Sequence, residues 1–214
     1  MHVWYWMTKK IFIVSPDDYL SEAMAIMRDQ RVRHLPVLKN GKLKGIVSDR
    51  DIKEYSPSKA TALDVYELHY LLAKTKIKEI MKTKVVYTTP DTPIEEAAMV
   101  MMDENIGCLP VVDGVNVVGI ISDKDIFRAL VDITGVRTGG NRIAVTIEDR
   151  PGSIREVADI IRLYGFQLKS ILTSYDRAKA GYRDVVIRTS GNGDFKSLKQ
   201  SLETTYKGAQ IKKG

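Results

Sequence analysis

The chain has 214 residues, 44% hydrophobic and 28% charged, a balance that can build real cores and excludes a disordered polymer. Its longest apolar runs, such as VVGII at 117–121, fall well short of the roughly 18 to 20 residues a membrane helix needs. With no cationic lead before an apolar run in MHVWYWMTKK, a cytoplasmic location without membrane contact is expected.

A single cysteine, Cys108, excludes an internal disulfide framework, and His2, His34 and His69 are too widely spaced for a local metal motif, so no metal is expected. The formal charge of +6 is lopsided. Residues 1–140 hold 19 basic and 19 acidic side chains, whereas residues 141–214 hold 14 and 8. This break follows TGVRTGGN at 134–141 and marks a domain boundary.

Along the chain, the phrase GIVSDRDI at 45–52 returns as GIISDKDI at 119–126. Sliding residues 7–52 over 81–126 at an offset of 74 gives 17 identities in 46 positions without a gap, including Met7/Met81, Pro16/Pro90, Ala23/Ala97 and Leu35-Pro36-Val37 over Leu109-Pro110-Val111. The first half is an internal duplication.

Each copy has one rhythm. A short β-branched run (IFIV at 11–14, KVVYTT at 84–89) precedes Pro-Asp and a helical pattern, with apolar residues at Leu20, Ala23, Met24 and Met27 or Ile94, Ala97, Ala98 and Met101. Two strands follow, HLPVL and LKGIVS or CLPVV and VVGIIS, turning at KNGK or DGVN, and a second helix opens at SDRDI or SDKDI. The unit is β-α-β-β-α.

At that last junction Ser48 precedes Asp51 by three residues, and Ser122 precedes Asp125 likewise, the pattern of a helix capping box. Structural capping alone accounts for the pair. Yet helix N-terminal amides also attract anions, Arg50 or Lys124 adds a full positive charge, and the carboxylate can accept hydrogen bonds from vicinal hydroxyls. Hydroxyl, cation and carboxylate in one turn suit a phosphorylated nucleoside.

The doubled pattern M-T/K, P-D, A-x-x-x-M, L-P-V and G-h-h-S-x-x-D resembles a tandem pair of CBS domains, the Bateman module. The resemblance implies adenosine nucleotides (AMP, ADP or ATP, with S-adenosylmethionine or NAD as variants) bound in two clefts between the repeats, with Ser on phosphate and Asp on ribose. Carried over, one site uses Ser48, Arg50 and Asp51 and the other Ser122, Lys124 and Asp125. Arg33 and His34 in RVRHLPV are further phosphate candidates, although a histidine beside an apolar strand is more often a packed residue. Cys108 and the Met-rich run at 97–104 read as core.

Between the repeats, residues 62–81 carry an apolar stripe at Leu63, Val65, Tyr66, Leu68, Leu71, Leu72, Ile77 and Ile80, after a loop SPSKAT at 56–61. A long helix there resembles the acetoin-utilization type of CBS protein. Its apolar surface fits either homodimer formation, common among CBS pairs, or folding back on its own repeats.

The last 74 residues read as β-α-β-β-α-β, the ferredoxin-like split unit. RIAVTIE at 142–148 alternates as a strand, DRPG turns, and a helix at 153–165 has Ser153 as N-cap and Gly165 at its end. A hairpin around AKAG, a second helix from Asp194 and an edge strand at AQIKK follow. With D-R-P-G-S-I at the first turn this segment resembles an ACT domain, which implies that Asp149, Arg150, Pro151 and Gly152 meet an amino-acid-like effector; Pro-Gly also serves simply to shape the turn.

The expected organisation is therefore a CBS repeat at 1–62, a linking helix at 63–80, a second repeat at 81–135 and an ACT domain at 141–214, an α+β chain with no catalytic role. No nucleophile-His-acid motif and no phosphate-binding G-x-x-x-x-G-K-[ST] loop is present. A regulator of a partner enzyme that senses adenosine nucleotides is the leading reading. The alternatives are an enzyme subunit and a nucleic-acid-associated regulator acting through the basic C-terminal segment, whose lysines and arginines are dispersed rather than clustered with aromatics.

Overall fold

The computed structural model describes residues 1–55 and 65–214, with the backbone alone for 65–69. The chain divides into two compact units, Met1–Ile126 and Phe127–Gly214.

The first unit opens with α1 (Val3–Trp6), then α2 (Leu20–Gln30), strands β1 (His34–Lys39) and β2 (Lys42–Ser48), and α3 (Asp49–Tyr55). After α4 (Val65–Lys74) and a 3-10 turn at Ile77–Glu79 the pattern repeats as α5 (Ile94–Asp103), β3 (Cys108–Asp113), β4 (Asn116–Ser122) and α6 (Asp123–Ile133), which runs across the division between the units. β1 and β2 pair antiparallel through a two-residue turn at Asn40-Gly41, both at positive φ, and β3 pairs β4 antiparallel through Gly114-Val115, of which only Gly114 is at positive φ. Each hairpin bulges at the matching place, between Val37 and Leu38 and between Val111 and Val112.

The β-branched runs expected as full strands at 11–14 and 84–89 are extended segments that make one parallel bridge each, Val14 to Val37 and Thr88 to Val111. The leading segments are exchanged between repeats. The Thr8 amide donates to Ile120 O at 2.9 Å on the second hairpin, and the Lys82 amide donates to Ile46 O at 2.9 Å on the first. The repeated Met/Gly pairs follow from this exchange. A Cβ on Gly119 would lie 2.6 Å from Met7 Sδ and 3.1 Å from Thr8 O, and one on Gly45 would lie 2.8 Å from Met81 Sδ and 3.0 Å from Lys82 O, so a larger residue at either position would crowd the crossing segment.

The amphipathic helices bury the faces their periodicity marks: Leu20, Ala23 and Met27 on α2, and Ile94, Ala97 and Met101 on α5. Met24, counted on the apolar face, is 41% exposed. The linking helix is shorter than the stripe suggests, ending at Lys74, where the Thr75 hydroxyl donates to Leu71 O before the 3-10 turn. Leu72 and Ile77 join Val14, Leu20, Leu35, Val37, Val47 and Ile52 in one core, so this part of the stripe folds back onto the first repeat. SPSKAT, Leu63 and the side chains of Val65, Tyr66 and Leu68 lie outside the described residues.

In the second unit, β5 (Arg142–Glu148), α7 (Ser153–Leu163), β6 (Gln167–Ser174), β7 (Tyr182–Ser190), α8 (Phe195–Thr205) and β8 (Gln210–Lys212) form a four-stranded antiparallel sheet of order β6-β7-β5-β8. This is the split β-α-β-β-α-β arrangement. Ile143, Val145, Ile147, Val185 and Ile187 alternate inward to meet Val157, Ile161, Leu198 and Leu202 of the two helices. The 134–141 segment is fastened to this sheet: Arg188 donates to Thr134 O and Gly140 O, and Ser170 Oγ donates to Thr134 O. The N-cap of α7 is Gly152, at φ 88°, rather than Ser153; Ser153 is the first helical residue, and its hydroxyl donates back to Arg150 O.

Candidate functional site

The strand-to-helix junctions form as capping boxes in both repeats. At the start of α3, the Ser48 amide donates to Asp51 Oδ2 at 2.8 Å, the Ser48 hydroxyl donates to the same oxygen, and the Asp51 amide returns a bond to Ser48 Oγ at 3.2 Å. At the start of α6 the Ser122 amide and hydroxyl donate to Asp125 Oδ2 at 2.9 and 2.8 Å. Both carboxylates are drawn inward by these bonds, Asp51 to 9% and Asp125 to 6% exposure.

Asp51 is nonetheless on a cavity wall. A cleft of about 390 Å³ is lined by Ser48, Arg50, Asp51 and His34 together with Ile46, Glu54, Lys82, Lys84, Val85, Val86 and Ile106–Cys108, a volume within the roughly 300 to 1,000 Å³ typical of small-molecule sites. Its three kinds of wall come from different elements: the junction of β2 and α3, the extended segment entering the second repeat, and the approach to β3. The cations face a nearly buried carboxylate, with Lys82 Nζ 3.0 Å from Asp51 Oδ1. Burial pushes the Asp51 carboxyl up, but the Ser48 and Lys82 hydrogen bonds outweigh it and hold the group below the ordinary carboxylate value.

Arg50 lines the same cleft while its Nε donates to Glu54 Oε1 at 2.7 Å, one helical turn on. His34 is half-buried beside Gly107; burial drives its imidazole below the ordinary value, against the raising influence of Asp123 and Asp51. Cys108 is 4% exposed, and burial pushes its thiol up to about 12, so it is an inert wall residue.

Arg33 and Lys124 fall elsewhere. They line a second cleft of about 420 Å³ with Arg28, Arg31 and Asp49 over a floor of Met24, Met27 and Val32. In the second unit, Arg150 meets Glu148 at 2.9 Å and forms a two-pronged pair with Glu156 at 2.9 and 2.8 Å. Together with Ser153, Lys179 and Lys207 these residues border a cleft of about 490 Å³. Asp149 pairs with Arg183 at 3.5 Å, and Pro151 and Gly152 shape the turn.

Lys82 carries no signal in the sequence that marks it for this site, and Lys84, Val85 and Val86 are marked only by the resemblance, which sets the early strand of the repeat beside the adenine. They lie more than thirty residues from Asp51 along the chain, and the antiparallel bridge of Ile46 with Lys82 that brings them there has no local signature. Among the described residues no cluster of three or more metal-ligating side chains occurs, and no helix is long and apolar enough to cross a membrane.

Two pseudo-equivalent repeats that exchange their leading segments, with a cleft at a capped strand-to-helix junction, define a duplicated α+β module. The CBS domain family model matches residues 3–58 and 77–132, more than half of the chain, and the chain belongs to the CBS-domain family.

CBS domain-containing protein YhcV of Bacillus subtilis is 32% identical over 120 residues, covering 56% of this chain and 79% of that protein. Inosine-5'-monophosphate dehydrogenase of Methanocaldococcus jannaschii is 33% identical over 122 residues, which make up 56% of this chain but 22% of the enzyme. The module thus occurs both in small CBS proteins and within an enzyme. Among solved structures, a Vibrio cholerae protein assigned to acetoin utilization, AcuB, is similar with a TM-score of 0.52 and 30% identity, over 64% of this chain and 96% of that one. The CBS pair of protein MJ0100, in complex with 5'-methylthioadenosine and S-adenosylmethionine, is similar with a TM-score of 0.51 and 29% identity, over 61% and 99% of the two chains.

Proposed function

We propose that this chain is a non-catalytic sensor that binds an adenosine ligand, AMP, ADP, ATP or a relative such as S-adenosylmethionine or NAD, in the Asp51 cleft. The observation that carries the reading is a nearly buried carboxylate on the wall of a cavity that also offers apolar and cationic surface. Ile46, Val85, Val86 and Ile106 suit a purine ring, Asp51 accepts from ribose hydroxyls, and Arg50, Lys82 and Lys84 face a phosphate. The adenosyl ligands held by the CBS pair of MJ0100 support the same class in this chain. A second ligand at the Ser122–Asp125 junction, with Arg33 and Lys124 toward its phosphates, follows from the duplication.

Binding regulates by favouring one arrangement of the repeats, and it shifts that equilibrium only by the difference in ligand affinity between the states. Thermal unfolding against a nucleotide panel tests the reading. A ligand at about 100 times its Kd stabilises the native state by about 2.7 kcal/mol. A panel in which no adenosine compound raises the transition, while the protein is folded, rejects it.

For the C-terminal unit we infer an ACT-type effector site at the Asp149–Gly152 turn. Support comes from the 490 Å³ cleft, which Arg150 of that turn lines together with Lys179 and Lys207 and with Glu148 and Glu156, the two carboxylates Arg150 already pairs with. Calorimetry with the twenty amino acids tests it, and heats of dilution throughout reject it.

A further inference from the structure

Asp51 has two carboxylate oxygens and they are used differently. Oδ2 accepts from both the Ser48 amide and the Ser48 hydroxyl, which fills its two lone pairs. Oδ1 is the acceptor left for a ligand, and Lys82 Nζ holds it at 3.0 Å. The partners differ in freedom: the Asp51 side chain is 8% exposed and fixed by the cap, whereas that of Lys82 is 65% exposed on a flexible four-carbon stem.

The duplication supplies an internal comparison. Lys82 is anchored by the paired backbone bonds with Ile46, and the residue seventy-four positions earlier, Thr8, makes the same pair with Ile120 at 2.9 and 3.0 Å. One junction therefore has an ammonium group at this position and the other a threonine hydroxyl.

Resting on the adenosine reading of this cleft, we propose that Lys82 is a specificity residue that makes the Asp51 cleft select adenosine compounds carrying an anionic group over the neutral nucleoside. A ribose hydroxyl that donates to Oδ1 competes with Lys82. With a neutral nucleoside the displaced ammonium can only return to water, since Arg50 and Lys84 on the same cleft repel it and Glu54 is already engaged by Arg50, so no new ion pair replaces the one lost. A phosphate accepts it. Lys82 thus passes from carboxylate to phosphate as the ligand enters, a transfer that a threonine at the same position could not make.

The test is titration of the full, isotopically labelled chain with AMP and with adenosine, followed at the amide resonances of Ser48 and Asp51, which line this cleft. In the wild-type protein AMP binds at least about tenfold more tightly than adenosine, the scale of one charge-assisted hydrogen bond. Lys82→Thr, which installs the residue of the other repeat, cuts that ratio several-fold, Arg50 and Lys84 keeping a remainder, and leaves adenosine as tight or tighter; Lys82→Arg retains the preference. An unchanged ratio in Lys82→Thr, or adenosine binding as tightly as AMP in the wild-type chain, overturns the proposal. If neither compound moves Ser48 or Asp51 in the wild-type chain, the adenosine reading falls, and this inference with it.

Discussion

Replacing Asp51 with alanine separates two roles of its carboxylate, helix cap and ribose acceptor. In the free protein the change removes the acceptor for the Ser48 amide and hydroxyl and the partner of Lys82. Loss of such a helix-start cap costs about 0.5 to 2 kcal/mol. The exposed Lys82 side chain returns to water, so its ion pair adds little to that figure. In the complex the change also removes a charge-assisted bond to the ribose, worth about 1.5 to 3 kcal/mol, or roughly a 10- to 150-fold rise in Kd. Urea unfolding reads the first quantity and AMP calorimetry on the folded variant the second. Ser48→Ala is the control, because it weakens the cap while the carboxylate stays charged at the cleft. An Asp51→Ala protein that is destabilised as predicted yet binds AMP with unchanged affinity would show that the carboxylate is a cap and nothing more.

Four further outcomes follow from the packing and the titrations. Gly119→Ala places a Cβ 2.6 Å from Met7 Sδ and 3.1 Å from Thr8 O, and overpacking of this kind costs about 1 to 3 kcal/mol; adding Met7→Ala should recover part of the loss in a double-mutant cycle by urea unfolding. Leu72→Ala, at a residue 3% exposed in the first repeat's core, should cost about 2 to 5 kcal/mol by the same assay. His34 titrates below its ordinary value in the folded state, so the unfolded chain takes up its proton first. Its contribution is intact above the ordinary value of 6.5 and is lost as pH falls from there toward the folded value, so His34→Gln should flatten the fall in denaturation midpoint between about pH 7.5 and 5.5. Cys108, its thiol pushed up to about 12, should resist alkylation at about pH 8 in the native protein and react once denatured.

Much of the first unit is legible in the sequence because duplication makes each repeat a control for the other. Ser48/Asp51 and Ser122/Asp125 announce helix starts through a local spacing, and both boxes form with the expected partners. Local spacing says nothing of which hairpin a leading segment joins. The identities Met7/Met81 and Gly45/Gly119 carry that information, but only as unexplained matches until the crossing segments are set against the glycines. For the same reason Lys82 is invisible as a site residue, while Arg33 groups with His34 in the sequence although the two line different clefts. Arg33 stands in the bend before β1 and His34 opens the strand, and sequence proximity hides that change of backbone direction. In the second unit alternation marks β5 and an apolar stripe marks α7, while the short edge strand β8 is read from the order of the elements. The cap at Gly152 is instead read as Ser153, because a serine before an apolar stripe looks like a cap unless the backbone's positive φ is known.

The decisive measurement is a crystal structure of the chain with AMP. It should place a ribose hydroxyl within hydrogen-bonding distance of Asp51 and the purine among Ile46, Val85 and Val86. A nucleotide seated away from that cleft, or a complex in which Asp51 touches only Ser48 and Lys82, would refute the adenosine assignment.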